Sequence, residues 1–243
     1  MTEKSYNERD LQAVVSQYLS IRERVETACA KAGRSASEVT LVGVTKTVDA
    51  PFINAALDAG LTAIGENRVQ EYLSKKDDLH LEGVARYLIG HLQTNKVRAI
   101  VGQVDMIQSV DSLKLAAAID RVSAEKQIVT PVLVEINIGE ETSKDGIGAE
   151  NAEELLRQMA GLDHISVQGL MTIPPISDCE AKKRHYFSKM HELFIDIQSK
   201  KIDNVSMNVL SMGMSDDFEE AIAEGSTMVR VGTAIFGRRF YPA

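Results

Sequence analysis

The sequence predicts an α/β protein, a single (β/α)8 TIM barrel preceded by one extra N-terminal helix. Three observations carry that expectation. Short apolar runs alternate with amphipathic helical patterns along the chain, with no low-complexity linker between them. The apolar runs number eight, the count that closes a barrel of this kind. The first of them, "VTLVGVT" (39–45), is apolar on both faces, as in a parallel sheet covered on both sides. A doubly wound open sheet is the competing arrangement, but no GxGxxG follows the first run.

Residues 8–33 read as the extra helix. Leu11, Val14, Val15, Tyr18, Leu19, Ile21, Val25 and Ala28 recur at helical spacing, and Gly33 in "KAGRS" ends the pattern. The strands that follow are predicted at 39–45, at "TAIGE" (62–66), "ARYLIG" (85–90) and "MIQSV" (106–110), then at "PVLVEINI" (131–138), "SVQGLMTI" (166–173), "NVLSMG" (208–213) and "MVRVGT" (228–233). Helical patterns fill the intervals, among them "APFINAALDAG", "NRVQEYLSKKDDL", "TNKVRAIVGQ" and "DDFEEAIAEG". Nothing splits the chain, so residues 1–243 are expected to form one domain.

Bulk properties narrow the function. The chain is 44% hydrophobic and 26% charged, with 27 basic and 35 acidic residues for a net charge of −8. That balance argues against a general nucleic-acid or membrane-surface binder. No apolar run approaches the ~20 residues that span a bilayer, and the first residues, "MTEKSYNERDLQ", lack a signal core. Two cysteines, Cys29 and Cys179, form no CxxC pattern, which fits a reduced, cytoplasmic protein. The five histidines show no HExxH or other ligand spacing, so no metal is expected.

The first strand runs straight into Lys46. Burying an ammonium is costly, so the side chain either turns to solvent or serves a site. In such barrels the C-terminal strand ends are where ligands bind, and that puts Lys46 at the mouth. The loops after strands seven and eight, "SMGMSDD" and "VRVGTAIFG", carry hydroxyls at Ser211, Ser215 and Thr233, and glycines at 213 and 232. Small residues, hydroxyls and free backbone N–H groups are what a phosphate needs. The plainer alternative has Ser215 capping the next helix and the glycines making turns. Asp216 and Asp217 add negative charge at the same helix start.

A lysine beside a phosphate cradle admits a phosphorylated sugar or pyridoxal 5′-phosphate (PLP), whose aldehyde condenses with an amine. Arg230 discriminates between them. It alternates with Val229 and Val231, so it can point into the barrel. A guanidinium only donates hydrogen bonds, and at a pyridine nitrogen it keeps that nitrogen unprotonated. The alternative for Arg230 is an ion pair with Glu66 or Glu135.

The segments "VGVTKT", "IGENRVQE", "IGHLQTNK", "INIGEETSKDGI", "GLMTIP" and "LSMGMSDDFEEAIAEGSTMVRVGTAIFG" closely resemble the YggS/PROSC family of pyridoxal 5′-phosphate homeostasis proteins, from about residue 8 to residue 239. The resemblance implies a barrel of the alanine racemase N-terminal type, fold type III among PLP proteins. It implies Lys46 as the internal aldimine, Asn67 beside the ring and Arg230 at the pyridine nitrogen. Gly232 and Thr233 would meet the phosphate, joined by either Ser211 or Ser215. Lys144 of "SKDGI" would be a second lysine engaged in cofactor exchange, with a solvated loop lysine as the alternative. Two positions depart from the family pattern: Tyr87 stands where a histidine is common, and His91 where a proline is frequent. Neither belongs to the lysine or phosphate motifs, and His91 reads as an exposed loop residue.

Racemases that share this barrel use a second base, a tyrosine from a β-rich second domain. With "FYPA" following soon after strand eight, no such domain is expected, and Tyr241, near that end, is not expected to be held as a base. The expectation is a PLP carrier, not an enzyme, that limits free aldehyde and hands the cofactor to apo PLP-dependent enzymes. A slow amino-acid racemase is the competing reading, and a cofactor-free sugar-phosphate aldolase a third. A cytoplasmic monomer is expected, with no nucleic-acid or membrane partner.

Overall fold

A computed structural model describes residues 7–139, 145–175, 177 and 179–237. The strands are β1 (Thr40–Val44), β2 (Ala63–Glu66), β3 (Ala85–Leu88), β4 (Met106–Val110), β5 (Thr130–Ile136), β6 (Ile165–Thr172), β7 (Val205–Ser211) and β8 (Met228–Val231). They close into a barrel in sequential order, all neighbours parallel, with β8 pairing back onto β1. All eight predicted strands are present.

The helices are α1 (Glu8–Lys31), α2 (Ala50–Asp58), α3 (Val69–Lys75), α4 (Val97–Ile100), α5 (Leu113–Glu125), α6 (Ala152–Met159), α7 (Glu180–Ser199), α8 (Phe218–Ala223) and α9 (Thr233–Phe236). The extra helix is α1; it ends two residues before the predicted boundary, at Lys31. At its start the Asn7 side chain accepts from the Arg9 N–H, satisfying a donor that the first turn leaves over. Val14, Tyr18, Ile21 and Val25 bury one face of α1 against Ile53 and Leu57 of α2 and Phe218 and Ile222 of α8. The helical pattern at 94–103 contracts to a 3-10 turn (Thr94–Lys96) and the single turn of α4. Strand eight stops at Val231 rather than 233 because Gly232 already caps α9.

Two environments make the core. The outward faces of the strands pack under the helices in large apolar clusters. The inward faces fill the lumen with two small clusters, Val42, Ala63 and Met228, and Met106, Leu133 and Met171, both packed against Tyr87 and Val209. Two residues further along their strands, on the same face, stand Gln108, Glu135, Ser211 and Arg230, all buried. The lumen therefore changes from apolar to polar toward the C-terminal mouth.

Candidate functional site

Alternation along β1 puts Val42 and then Val44 on the inward face. Lys46 stands two residues past the strand end, in a turn closed by the Val48 N–H on the Thr45 carbonyl at 3.1 Å, at the rim of the mouth. Lys46 is half-buried, and among the described residues no hydrogen bond or ion pair engages its amine. Asn67 follows Ala63 and Gly65 in the same way from β2. Its Oδ1 is buried and has no hydrogen-bond partner among the described residues. A bound ligand is one way to satisfy such an orphaned acceptor. The neighbouring loop presses close here: a Cβ at Gly90 would lie 2.4 Å from the Asn67 carbonyl oxygen.

Arg230 projects inward and is only 3% exposed. Its Nη1 donates to Ser211 Oγ at 2.5 Å and its Nη2 to the Thr172 carbonyl at 2.9 Å. Ser211 in turn donates to Gln108 Oε1 at 2.8 Å. Burial pushes the guanidinium down to about 10, against the pull of Glu135 and Asp217, so it stays cationic at neutral pH. The ion pairs considered from sequence do not form among the described residues. Glu66 pairs with Lys75, and Arg230 has no carboxylate within ion-pair distance. A buried cation without a carboxylate is an expensive arrangement, and such sites are disproportionately functional.

Ser215 lies elsewhere. Its Oγ accepts from the backbone N–H of Gly232 at 3.2 Å and of Ala234 at 3.4 Å. It therefore does not cap α8; Asp217 takes the turn instead, accepting from the Met214 N–H at 2.6 Å. Asp217 is thus engaged in its own loop, and Asp216 is exposed. Gly213 lets this loop lie against α8: it has φ +95°, and a Cβ there would approach the Ala221 Cβ to 2.5 Å. Thr233 is exposed at the start of α9. The two loops so bring Ser215, buried Gly232 and Thr233 together around two N–H groups, while Ser211 belongs to the Arg230 side of the lumen.

The acidic side of the mouth is formed by Glu135, Asp111 and Asp145. Burial pushes the Glu135 carboxyl up to about 7, with Asp145 and Asp111 adding to the rise and Arg230 opposing it. His91 is exposed, with Nδ1 3.4 Å from Asp145 Oδ1 and 3.7 Å from Asp111 Oδ2. Lys144 and Tyr241 lie outside the described residues. Sequence reading missed Gln108, Thr172 and Lys75. An amide inside the apolar strand "MIQSV" was a usable signal for Gln108; the other two act through a backbone carbonyl and from a helix end, which leave no motif.

Residues 18–239 match the family model described as alanine racemase, N-terminal domain. The pyridoxal phosphate homeostasis protein of Aquifex aeolicus (strain VF5) is 43% identical over 221 residues, covering 91% of this chain and 96% of that protein. The structure of PipY from Synechococcus elongatus PCC7942 with PLP bound is 31% identical, with a TM-score of 0.80 over 92% of this chain and 100% of that one. Alanine racemase from Corynebacterium glutamicum, 18% identical, shares the fold with a TM-score of 0.70, over 93% of this chain and 60% of that one. On both the family match and the near-complete coverage of its relatives, the chain belongs to the pyridoxal phosphate homeostasis proteins within the alanine racemase N-terminal domain family.

Proposed function

We propose that this chain binds pyridoxal 5′-phosphate reversibly at the barrel mouth and serves vitamin B6 homeostasis as a carrier rather than as an enzyme. The observation that carries the reading is Arg230: a buried cation with no carboxylate partner among the described residues, in a barrel whose rim carries Lys46, unengaged among those residues, and the Gly232 and Ala234 N–H groups gathered on Ser215.

The residues fit the group at each of its ends. Lys46 would hold the aldehyde. The N–H groups of Gly232 and Ala234, which here donate to Ser215 Oγ, would turn to the phosphate together with the hydroxyls of Ser215 and Thr233. Asn67 would flank the ring and gain a partner for its orphaned oxygen. Arg230 would meet the ring nitrogen, with Ser211 and Gln108 holding the guanidinium in place. When bound, PLP supplies an electrophilic aldehyde and an electron-withdrawing ring. Arg230 has no proton acceptor and does not release its own proton at neutral pH, so it leaves the ring nitrogen unprotonated and weakens that withdrawal. This supports holding over turnover.

The same reading takes residues 1–243 as one cofactor-binding domain and Lys144 as a second amine for exchange. It makes the protein a cytoplasmic monomer whose recipients are apo PLP-dependent enzymes. Among the described residues, no helix is long and apolar enough to cross a membrane.

The test is direct. Purified protein mixed with PLP should turn yellow, and borohydride should fix the pigment on Lys46, as read by peptide mapping. A chain that stays colourless overturns the binding reading. Incubation of the loaded protein with L- and D-amino acids in deuterated water then tests the carrier reading. α-Proton exchange at ordinary enzymatic rates would replace it with the racemase.

A further inference from the structure

We propose that Lys75, on α3, is a positioning residue for the Lys46 amine, acting with Glu66 and Glu71 as a clamp on the backbone to either side of it. The inference rests on the cofactor reading above and adds a part to that site.

The geometry converges on one peptide. Thr45, just past the end of β1, is fully buried and meets Glu66 of β2 and Lys75 of α3. The Lys75 Nζ donates to the Thr45 carbonyl at 2.8 Å, the carbonyl of the peptide bond that leads into Lys46. It also pairs with Glu66 Oε2 at 2.5 Å and with Glu71 Oε1 at 3.0 Å. Glu66 accepts from Thr45 Oγ1 at 3.1 Å and, through its other oxygen, from the Asn67 N–H at 2.8 Å. Glu71 accepts from the Thr47 N–H. Lys46 is thereby gripped at the residue before it and the residue after it, and both grips, together with the Asn67 backbone, lead back to a single ammonium.

Two further facts favour positioning over bulk stability. Thr47 has φ +59°, a region that a β-branched residue enters only when its surroundings force it; the turn that aims Lys46 needs outside support. And the pair is deeply buried, with Glu66 2% and Lys75 11% exposed. Buried ion pairs are poor stability devices, often matched or bettered by apolar residues of similar volume. The Lys75 ammonium donates to the Thr45 carbonyl and to Glu71, and its charge is met by Glu66 as well. Among the described residues Lys75 is engaged and the Lys46 amine is not, which separates the residue that holds from the residue that reacts.

The experiment compares two ligands in two variants. Glu66→Gln with Lys75→Met removes the buried charge pair and leaves the partly exposed Glu71 only its contact with the Thr47 N–H. Lys75→Arg keeps the charge but replaces three converging N–H groups with a planar fork. Each is tested with PLP and with pyridoxine 5′-phosphate, which keeps ring and phosphate but has an alcohol in place of the aldehyde. The rate of visible-band growth, the dissociation constants and the apo melting temperature are measured. Both variants should capture PLP about a hundredfold more slowly while binding pyridoxine 5′-phosphate nearly as wild type does. Parallel losses for the two ligands, tracking the melting temperature, would show a structural role and overturn the assignment; so would unchanged capture in both variants. A wild-type chain that took up neither ligand would sink the cofactor reading itself, which the variants alone cannot do.

Discussion

Arg230 and Ser211 meet across the seam between β7 and β8, the guanidinium Nη1 2.5 Å from the hydroxyl oxygen. Ser211 donates a hydrogen bond to Gln108 Oε1 on β4, so the hydroxyl is committed on both sides. Ser215, four residues on, touches instead the N–H groups of Gly232 and Ala234. The serine that ends β7 and the serine of the loop after it thus have different partners. Ser215→Ala is expected to raise the dissociation constant for PLP about tenfold, the loss of one hydrogen bond to a charged group, and to leave pyridoxal almost unaffected. Ser211→Ala should weaken both ligands alike, because it loosens the arginine and not the phosphate contact. Titration of each variant with both ligands decides; a phosphate-dependent loss in Ser211→Ala would reverse the assignment.

Much of this was legible in the order of residues. The eight apolar runs, the alternation that turns Arg230 inward and the strand-end position of Lys46 are local properties, fixed by a period of two along each strand. The choice between Ser211 and Ser215 was not local. It depends on where β7 stops, and the strand ends at Ser211 rather than at 213, which leaves Ser211 within the lumen and Ser215 in the loop above. Lys75 was illegible for a different reason. It sits at the end of an ordinary amphipathic helix, and its partners Thr45, Glu66 and Glu71 gather around it only once β1, β2 and α3 have packed.

Arg230→Met should separate stability from binding. The guanidinium is desolvated, and burial alone outweighs the help of Glu135 and Asp217. Methionine is flexible enough to fill the irregular space left behind. The apo-protein is expected to keep or raise its melting temperature, while PLP affinity falls about tenfold or more, by loss of the charged donor. Calorimetry of the apo-protein alongside equilibrium binding checks both halves. A drop of several degrees in melting temperature would mean that the arginine is chiefly a structural strut between Ser211 and the Thr172 carbonyl.

Gly90→Ala tests the approach of the β3 loop to Asn67. The added Cβ would stand 2.4 Å from the Asn67 carbonyl oxygen and 2.8 Å from its Cα. Backbone atoms do not yield as a side-chain tip does, so one of the two loops must move. Overpacking of this kind costs about 1–3 kcal/mol. The shift falls on Asn67, so the visible circular dichroism of bound PLP should change as well. A variant with wild-type melting and an unchanged spectrum would mean that the two loops are not held together as described.

Glu135 gives the chain a pH dependence of its own. The carboxyl stands two residues beyond Leu133 on the inward face of β5 and is 6% exposed. Burial raises it from 4.5 to about 7, helped by Asp145 and Asp111 and opposed by Arg230. Between those two values the folded chain keeps a proton that the unfolded chain has already released. Stability from this group is therefore full below pH 4.5 and drains away as pH rises to about 7, a loss of about 3 kcal/mol. Above that both states are ionised and the deficit stays constant. Glu135→Gln has nothing to titrate and keeps a similar shape, so the melting-temperature difference between the apo variant and apo wild type should be small near pH 4.5. It should widen in favour of glutamine up to pH 7 and then level off. Differential scanning calorimetry at half-unit intervals from pH 4.5 to 8 measures it, and a difference that does not change with pH would mean that the carboxyl is solvated and titrates normally.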